Sequence, residues 1–428
     1  MEELCYQFPV IGKLVLNNLD EQSLSNCKEA SRVVSHFVIQ ERFYWIRIIQ
    51  KYYKNLCEFK RSWKIVTHRT STGILKQLAI AVHFFFTTRL RASCHWSPFH
   101  IAAGSGDMQL CTHVYQKIHQ LENKNPENKK GWNPLHVAAL SGHVDICVLI
   151  MHHLENKNPS RFRDYTPLHL SAQNGHLEIC RLITDMLEDK NPGNSVGTTP
   201  LHLSAKNGHL AVCELLMDTL KNKNPANNKG LTPLHLSAHE GHMAICKLIM
   251  DNLENKNPAN ITGVTPLHLS ATRGHLDISR LIINNLEIKN PVAQNGVVTP
   301  LHLSAENGHL EIYKIIMDTL KDKNPANSRG TTPLHLAALN GHFDACQLIV
   351  DTLEDKYVAD NNGWTPLHYS AQQGYLAISK LIMGALENKN PLSNNGITPH
   401  QLAFKGGHFE ICKIISAGIR RKRKKPTR

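Results

Sequence analysis

Aromatic residues make up only 6% of this 428-residue chain, and charged residues 19%. Nowhere does the sequence offer the roughly 20 consecutive apolar residues that a bilayer demands. Its most apolar run, Ile74 to Phe86, is broken by Lys76, Gln77 and His83, so no membrane partner is expected. The first ten residues, MEELCYQFPV, hold two acids and no apolar core, so no secretory signal is expected either. There is no HExxH, no CxxC and no glycine-rich phosphate loop, which removes the usual sequence routes to metalloprotease, dithiol or nucleotide chemistry. No catalytic residue, cofactor or metal site is expected. The last nine residues contain no acid and seven Lys or Arg, which leaves about +6 of the net +13 for the rest. The body is mildly basic and lacks a basic stripe interleaved with aromatics, so nucleic acid is not expected as a partner.

What the chain does have is self-similarity. A proline followed by Leu-His or a close variant recurs at Pro98, Pro134, Pro167, Pro200, Pro233, Pro266, Pro300, Pro333, Pro366 and Pro399. The steps are 36, then 33 four times, then 34, then 33 three times. In the unit from Thr199 to Gly230, Thr199 is placed to cap a helix, and Pro200 occupies the first helical position, where no N–H is needed. The helix is expected to close at Gly208 in the left-handed conformation. A second helix carries Leu210, Val212, Cys213, Leu215, Leu216 and Leu220 at helical spacing. Asn-Lys-Asn-Pro and a polar stretch follow as turn chemistry. One such pair cannot bury both its faces, whereas stacked neighbours can.

Threonine-Pro-Leu-His at a 33-residue period resembles the ankyrin-repeat family, over residues 94–416. The resemblance implies an all-α solenoid of stacked helix pairs with hairpin-like finger loops, ten repeats being assigned to residues 94–418. Two departures stand out. A Leu and Asn-Lys-Asn-Pro occupy the junction where the family usually places a glycine after the second helix. The end repeats, Ser97-Pro98-Phe99-His100 and Pro399-His400-Gln401, are irregular, as capping units are.

Twenty-seven histidines invite a metal hypothesis. Nine, from His100 to His368, lie in the Thr-Pro-Leu-His frame, and eight, from His143 to His408, follow the first-helix glycine. The resemblance gives both sets a structural post, hydrogen-bonding neighbouring repeats. Seven of the eleven cysteines (Cys111, Cys147, Cys180, Cys213, Cys246, Cys346, Cys412) sit five residues after a glycine, in a slot that Ser279, Tyr313 and Ser379 fill elsewhere. A slot tolerant of Cys, Ser and Tyr is a packing position, which points to reduced thiols in a cytoplasmic or nuclear compartment.

The amino-terminal 93 residues lack the repeat. Phe8, Pro9 and Ile11 lead into Leu16 and Leu19, Asp20 is placed to cap a helix through Leu24, and Trp45 closes an apolar pattern. This order, with Ser31-Arg32 after the second helix, resembles the F-box over residues 8–52, within a helical module at 1–53. Val33-Val34-Ser35 stand where that family often has an aromatic. The resemblance implies that Phe8, Pro9, Ile11, Leu16, Leu19 and Leu24 bind a Skp-type adaptor and, through it, a cullin ligase. A plain helical cap on the array is the alternative. Residues 54–93 are expected to couple the two parts, with Leu78, Ile80, Phe84 and Phe85 covering the open end of the first repeat.

Comparison of the repeats with one another locates a candidate binding face. The slot two residues before the first-helix glycine holds Leu140, Gln173, Lys206, His239, Thr272, Glu306, Leu339, Gln372 and Phe404, and the finger tips vary as well. In the ankyrin family such positions line the concave face, which implies target contacts at Arg163, Gln173, Lys206, Lys229, His239, Glu240, Arg273, Glu306, Arg329, Leu339 and Gln372. Drift at solvated sites is the competing account. The tail residues Arg420, Arg421, Lys422, Arg423, Lys424 and Lys425 are a candidate nuclear import signal or a solvated end. Together these features imply a substrate receptor of an SCF-type ubiquitin ligase holding an unknown protein target. An ankyrin scaffold or inhibitor without a ligase is the rival, and nothing points to a homo-oligomer.

Overall fold

The computed structural model describes residues 45–46, 66, 71–88, 96–118, 126–293, 296–353 and 358–423. Phe8, Pro9, Ile11, Leu16, Leu19 and Leu24 lie outside the described residues, as do Lys424 and Lys425 of the tail. Among the described residues all regular structure is helical. The chain divides into two compact units, 1–195 and 196–428.

In the first unit, α1 (Thr72–Thr88) precedes three helix pairs: α2 (Pro98–Ser105) with α3 (Met108–Ile118), α4 (Pro134–Ser141) with α5 (Val144–His152), and α6 (Pro167–Asn174) with α7 (Leu177–Thr184). The second unit holds seven pairs. These are α8 (Pro200–Asn207) and α9 (Leu210–Thr219), α10 (Pro233–Glu240) and α11 (Met243–Asp251), α12 (Pro266–Arg273) and α13 (Leu276–Asn284), and α14 (Pro300–Glu306) and α15 (Leu310–Met317). They continue with α16 (Pro333–Asn340) and α17 (Phe343–Thr352), α18 (Pro366–Gln373) and α19 (Leu376–Ala385), and α20 (Pro399–Lys405) and α21 (Phe409–Arg423). Within each unit, first helices pack on first helices and second helices on second.

Each first helix is fixed at both ends by its own sequence. Thr232 sits at the start of α10 in extended conformation, and its hydroxyl accepts from the His235 N–H at 3.4 Å. Pro233 follows at the first helical position, and Gly241 (φ 89°) closes the helix, its N–H bonding Ser237 O at 3.0 Å. A second capping group comes from the preceding loop: Asn224 Oδ1 accepts from the Leu234 N–H at 3.0 Å, an orphan donor of the same helix. Asn158, Asn257, Asn290, Asn324 and Asn390 do the same for the helices that follow them.

The Lys-Asn-Pro stretch, preceded by Asn, Asp or Ile, therefore does more than turn the chain. Its lysine folds back onto the second helix it has just left, where Lys323 Nζ donates to Met317 O at 2.8 Å and Lys289 to Ile283 O at 2.6 Å. Lys157, Lys190, Lys223, Lys256 and Lys389 make the equivalent bond. A cation donating to the last carbonyls satisfies groups that a glycine-based ending would satisfy with backbone N–H, and it favours the negative end of the helix dipole. The departure from the family's junction is thus a change of cap.

The second-helix core is narrower than the run of leucines implies. In α9, Val212, Cys213, Leu216 and Met217 are buried and Leu210 and Leu215 half-buried, whereas Leu220, expected on this helix, lies just past its end in extended conformation. Positions i, i+1, i+4 and i+5 share one face at 3.6 residues per turn, and Leu215 lies at its edge. Ile245, Cys246, Ile249 and Met250 repeat the arrangement in α11, with Leu248 half-buried. In α1, which packs on α2, Leu75, Leu78 and Val82 are fully buried. Ile80 is 55% exposed, because two residues after Leu78 the helix has turned to its other side.

Truncating Leu216 or Ile249 to Ala should lower stability by about 2–5 kcal/mol through loss of apolar contact and a residual cavity. The same change at Leu215 or Leu248 should cost clearly less. Urea unfolding followed by circular dichroism separates the two pairs, and equal losses would contradict the assigned core face.

Candidate target-binding face

From α2 to α18 each first helix buries its first three residues and the small residues at positions five and six, and leaves positions seven and eight half-buried or exposed. Position four is buried in α2, α4, α6 and α8 and half-buried from α10 to α18. Positions seven and eight carry the variable residues. Gln173, Lys206, Glu240, Arg273, Glu306 and Gln372 are exposed there, and His239 and Leu339 are half-buried. The finger residues Arg163, Lys229 and Arg329 are exposed as well. In the second unit, Lys206, His239, Glu306, Leu339 and Gln372 occupy position seven of α8, α10, α14, α16 and α18, and Glu240 and Arg273 occupy position eight of α10 and α12.

Position four was missed by comparing repeats for variation, because it hardly varies. Leu236, Leu269, Leu303 and Leu336 are half-buried there, one turn before the variable slots and on the same side of the helix. The signal was present as an apolar residue three and four positions from two polar ones. Several position-eight asparagines bond back across this turn, as Asn207 Nδ2 does to Leu203 O at 2.8 Å and Asn307 Nδ2 to Leu303 O at 2.9 Å.

The fingers are built on Asn turns. Asn227 Oδ1 accepts from the N–H groups of Lys229 and Leu231 at 2.9 and 3.0 Å, and Asp360 serves Asn362 and Trp364 in the same way. Adjacent fingers in the second unit are joined by backbone bonds, including Ser328 N–H to Gly296 O at 2.9 Å and Asn361 N–H to Arg329 O at 3.0 Å. The third finger differs. Arg163 (φ 64°) and Asp164 (φ 57°) adopt the left-handed region without a glycine, a conformation that costs about 1 kcal/mol or more. Beside them the Arg161 guanidinium lies 4.1 Å from the Trp132 ring and 5.0 Å from that of Tyr165.

His239 links two first helices. Arg273 Nε donates to His239 Nε2 at 3.0 Å, and His239 Nδ1 lies 3.1 Å from Glu240 Oε1. Because the arginine can only donate, Nε2 is the acceptor and Nδ1 carries the proton toward Glu240.

The frame histidines are spoken for. His235 Nδ1 accepts from the Thr232 N–H at 3.2 Å, which leaves the proton on Nε2, 3.0 Å from Val264 O in the next repeat. His202, His302, His335 and His368 bridge in the same way to Leu231, Thr331, Trp364 and Ile397. The second set reaches backward. His242 Nε2 lies 3.0 Å from Lys206 O, and its ring covers Gly208 so closely that a Cβ there would meet Cε1 at 2.7 Å. Gly208 is thus required both for its φ of 82° and for this approach. Among the described residues no group of three or more His, Cys, Asp or Glu could hold a metal ion.

The seven described cysteines are free and buried. Cys180, Cys213 and Cys246 each donate to a serine on the paired first helix at 3.2 Å, and Ser279 and Ser379 meet Ser270 and Ser370 at 2.9 and 3.0 Å. Burial pushes the Cys180, Cys213 and Cys346 thiols up to about 12, away from the reactive thiolate.

Family models for ankyrin repeats match residues 69–161, 148–227, 219–294, 285–360 and 352–424. The chain belongs to the ankyrin-repeat family. Its class is that of protein–protein interaction adaptors, since its repeats are of the type that binds proteins. No curated protein matches it. Among the described residues no helix is long and apolar enough to cross a membrane.

Acid should loosen the stack. Burial holds His100, His202, His235, His268 and His335 down to about 4 and His136 to about 3, and it lowers His302 and His368. These groups are neutral when folded and titrate near 6.5 when unfolded, so the unfolded chain binds more protons below pH 6.5. The stability they contribute is full above about pH 6.5 and is lost as pH falls toward 4, by up to about 1.4 kcal/mol per pH unit for each histidine. Urea midpoints measured from pH 8 to 4.5 should be flat at first and then fall steeply below 6.5. A flat profile down to pH 5 would contradict the buried neutral assignment.

Proposed function

We propose that this chain is the substrate-recognition subunit of an SCF-type cullin ubiquitin ligase, holding a protein target on the first-helix face and finger tips. The observation that carries the ligase half is the residue order from Phe8 to Trp45, with Pro9, Leu16 and Leu24 as apolar anchors for a Skp-type adaptor. The target half is supported by the exposure of the variable slots beside the half-buried leucine row. The chain performs no chemistry itself in this reading. It works by proximity, keeping the target near a ubiquitin-loaded enzyme that other subunits supply. Its place is the cytoplasm, the nucleus or both, with Arg420 to Lys425 as the import signal. A scaffold or inhibitor without a ligase is the second reading, favoured by the family matches leaving residues 1–68 uncovered.

Affinity capture of the full chain from cells, followed by mass spectrometry, tests the ligase link. A Skp-type adaptor and a cullin should be recovered together with the target. Replacing Pro9 and Leu16 by Ala should remove adaptor and cullin while the target remains, and capture of a target without any adaptor would leave the scaffold reading. For the target face, single alanine changes at Gln173, Lys206, His239, Arg273, Glu306 and Gln372 should each shift stability by no more than about 0.5 kcal/mol. A few central ones should weaken the captured target by about 2 kcal/mol or more. Normal binding at all six would place the target elsewhere. A reporter carrying residues 417–428 should concentrate in the nucleus, and an even distribution would remove the import claim.

A further inference from the structure

Acids are scarce on the first helices and fingers of the second unit, whereas cations, Lys247, Arg280 and Lys314 among them, stand on its second helices as well. Its acids lie on the second helices and the loops after them, for instance Glu214, Asp251, Asp277 and Asp344. The first helices and fingers hold Lys206, Lys229, Arg273, Arg329 and Lys405 against only Glu240, Glu306 and Asp360. Two of those three acids are already engaged. Asp360 is buried, bonded to the Tyr369 hydroxyl at 2.7 Å and to its own finger, and Glu240 receives the His239 proton. Glu306 alone stands exposed without a described partner.

The basic side of this asymmetry is pre-organised. Arg273 spends its Nε–H on His239, and its Nη hydrogens make no bond among the described residues. A guanidinium held by Nε presents its two Nη groups outward as a fork, the geometry that takes a carboxylate with two parallel bonds. Lys206 stands two first helices away. Helices pack about 8–10 Å apart, so about 20 Å separates the two cations, and an extended chain covers that in about six residues. Leu236 and Leu269, half-buried at position four of α10 and α12, lie one turn beneath this path, while Leu203 of α8 is buried.

We propose that the segment held on the first helices of the second unit is an acidic peptide of the target, extended across α8, α10 and α12, with carboxylates on Lys206 and Arg273. This rests on the reading of the first-helix face as the target site and adds the chemistry of what docks there. Complementary charge would steer the encounter and exclude basic segments, with apolar side chains between the carboxylates meeting the leucine row.

The probe is fluorescein-labelled polyglutamate of about 20 residues, titrated by anisotropy against the full chain. Arg420, Arg421, Lys422, Arg423, Lys424 and Lys425 are replaced by Gln throughout, so that the tail cannot answer for the groove. Polyglutamate should bind at low salt more tightly than a neutral Gly-Ser peptide of equal length, and binding should weaken as salt rises. K206E with R273E should weaken it at least tenfold, and K206Q with R273Q by less, with melting temperatures close to the parent's. No preference over the neutral peptide overturns the acidic assignment. So does binding that both double variants leave unchanged. If the alanine scan with the captured target still maps to the first helices in either case, only the peptide's chemistry is wrong. If that scan is silent as well, the face itself is misassigned.

Discussion

The stack depends on a neutral imidazole used at both nitrogens. In the Thr-Pro-Leu-His turns at Thr199, Thr232, Thr265, Thr332 and Thr365 the ring accepts on Nδ1 from the threonine N–H that starts its own helix, and offers Nε2–H to a carbonyl one repeat further on. A capping box, ordinarily a local device with Glu or Gln as its partner, becomes a bond between neighbours because histidine has a second nitrogen. A glutamine can close the box but cannot reach onward. Gln401 in the last pair does this, its Oε1 accepting from the Thr398 N–H at 2.9 Å, where no further repeat follows among the described residues.

Two other residues divide the remaining work between neighbours. The post-glycine histidine bonds the repeat before it, and the asparagine preceding the loop proline caps the first helix of the repeat after it, while the lysine just before that asparagine closes the second helix of its own. Buried or terminal polar groups left alone cost about 1–3 kcal/mol each, so these bonds matter most for the orphans they remove. The side chains that do so point into the stack, which leaves positions seven and eight of the first helices without a framework duty. That freedom is what allows Lys206 and Glu306 at position seven, and Glu240 and Arg273 at position eight, to stand in equivalent places with unlike charge.

How much of this was legible in the sequence follows from the range of each interaction. Thr-Pro starts, glycine ends and the 33-residue period are local or repeated, and they were readable from residues alone. The choice between Leu215 and Leu216 turns on a rotation of 100° about a helix that is apolar nearly all round, and composition cannot decide it. The lysine cap was hidden because Asn, Lys and Pro are also ordinary turn residues, and six residues separate Lys323 from the carbonyl it bonds. The leucine row escaped notice because an invariant apolar residue reads as core. For the amino-terminal module the residue order stands by itself, since the described residues there are few.

Every one of these bonds is defined by an offset in sequence: three residues to the cap, about 29 to the next repeat's carbonyl, 36 back to the previous one. A pattern written wholly in offsets is indifferent to where it starts. A whole repeat can therefore be gained or lost by recombination between like segments, and the new junction finds the same partners as the old. The array tolerates even one residue of slippage. Where the step is 34, Asn290 caps Leu301 across 11 positions in place of 10, and His268 reaches Val298 O at 3.4 Å. Growth by copying delivers identical faces, and only afterwards can positions seven and eight diverge, one repeat at a time, without any change to the joints that hold the stack.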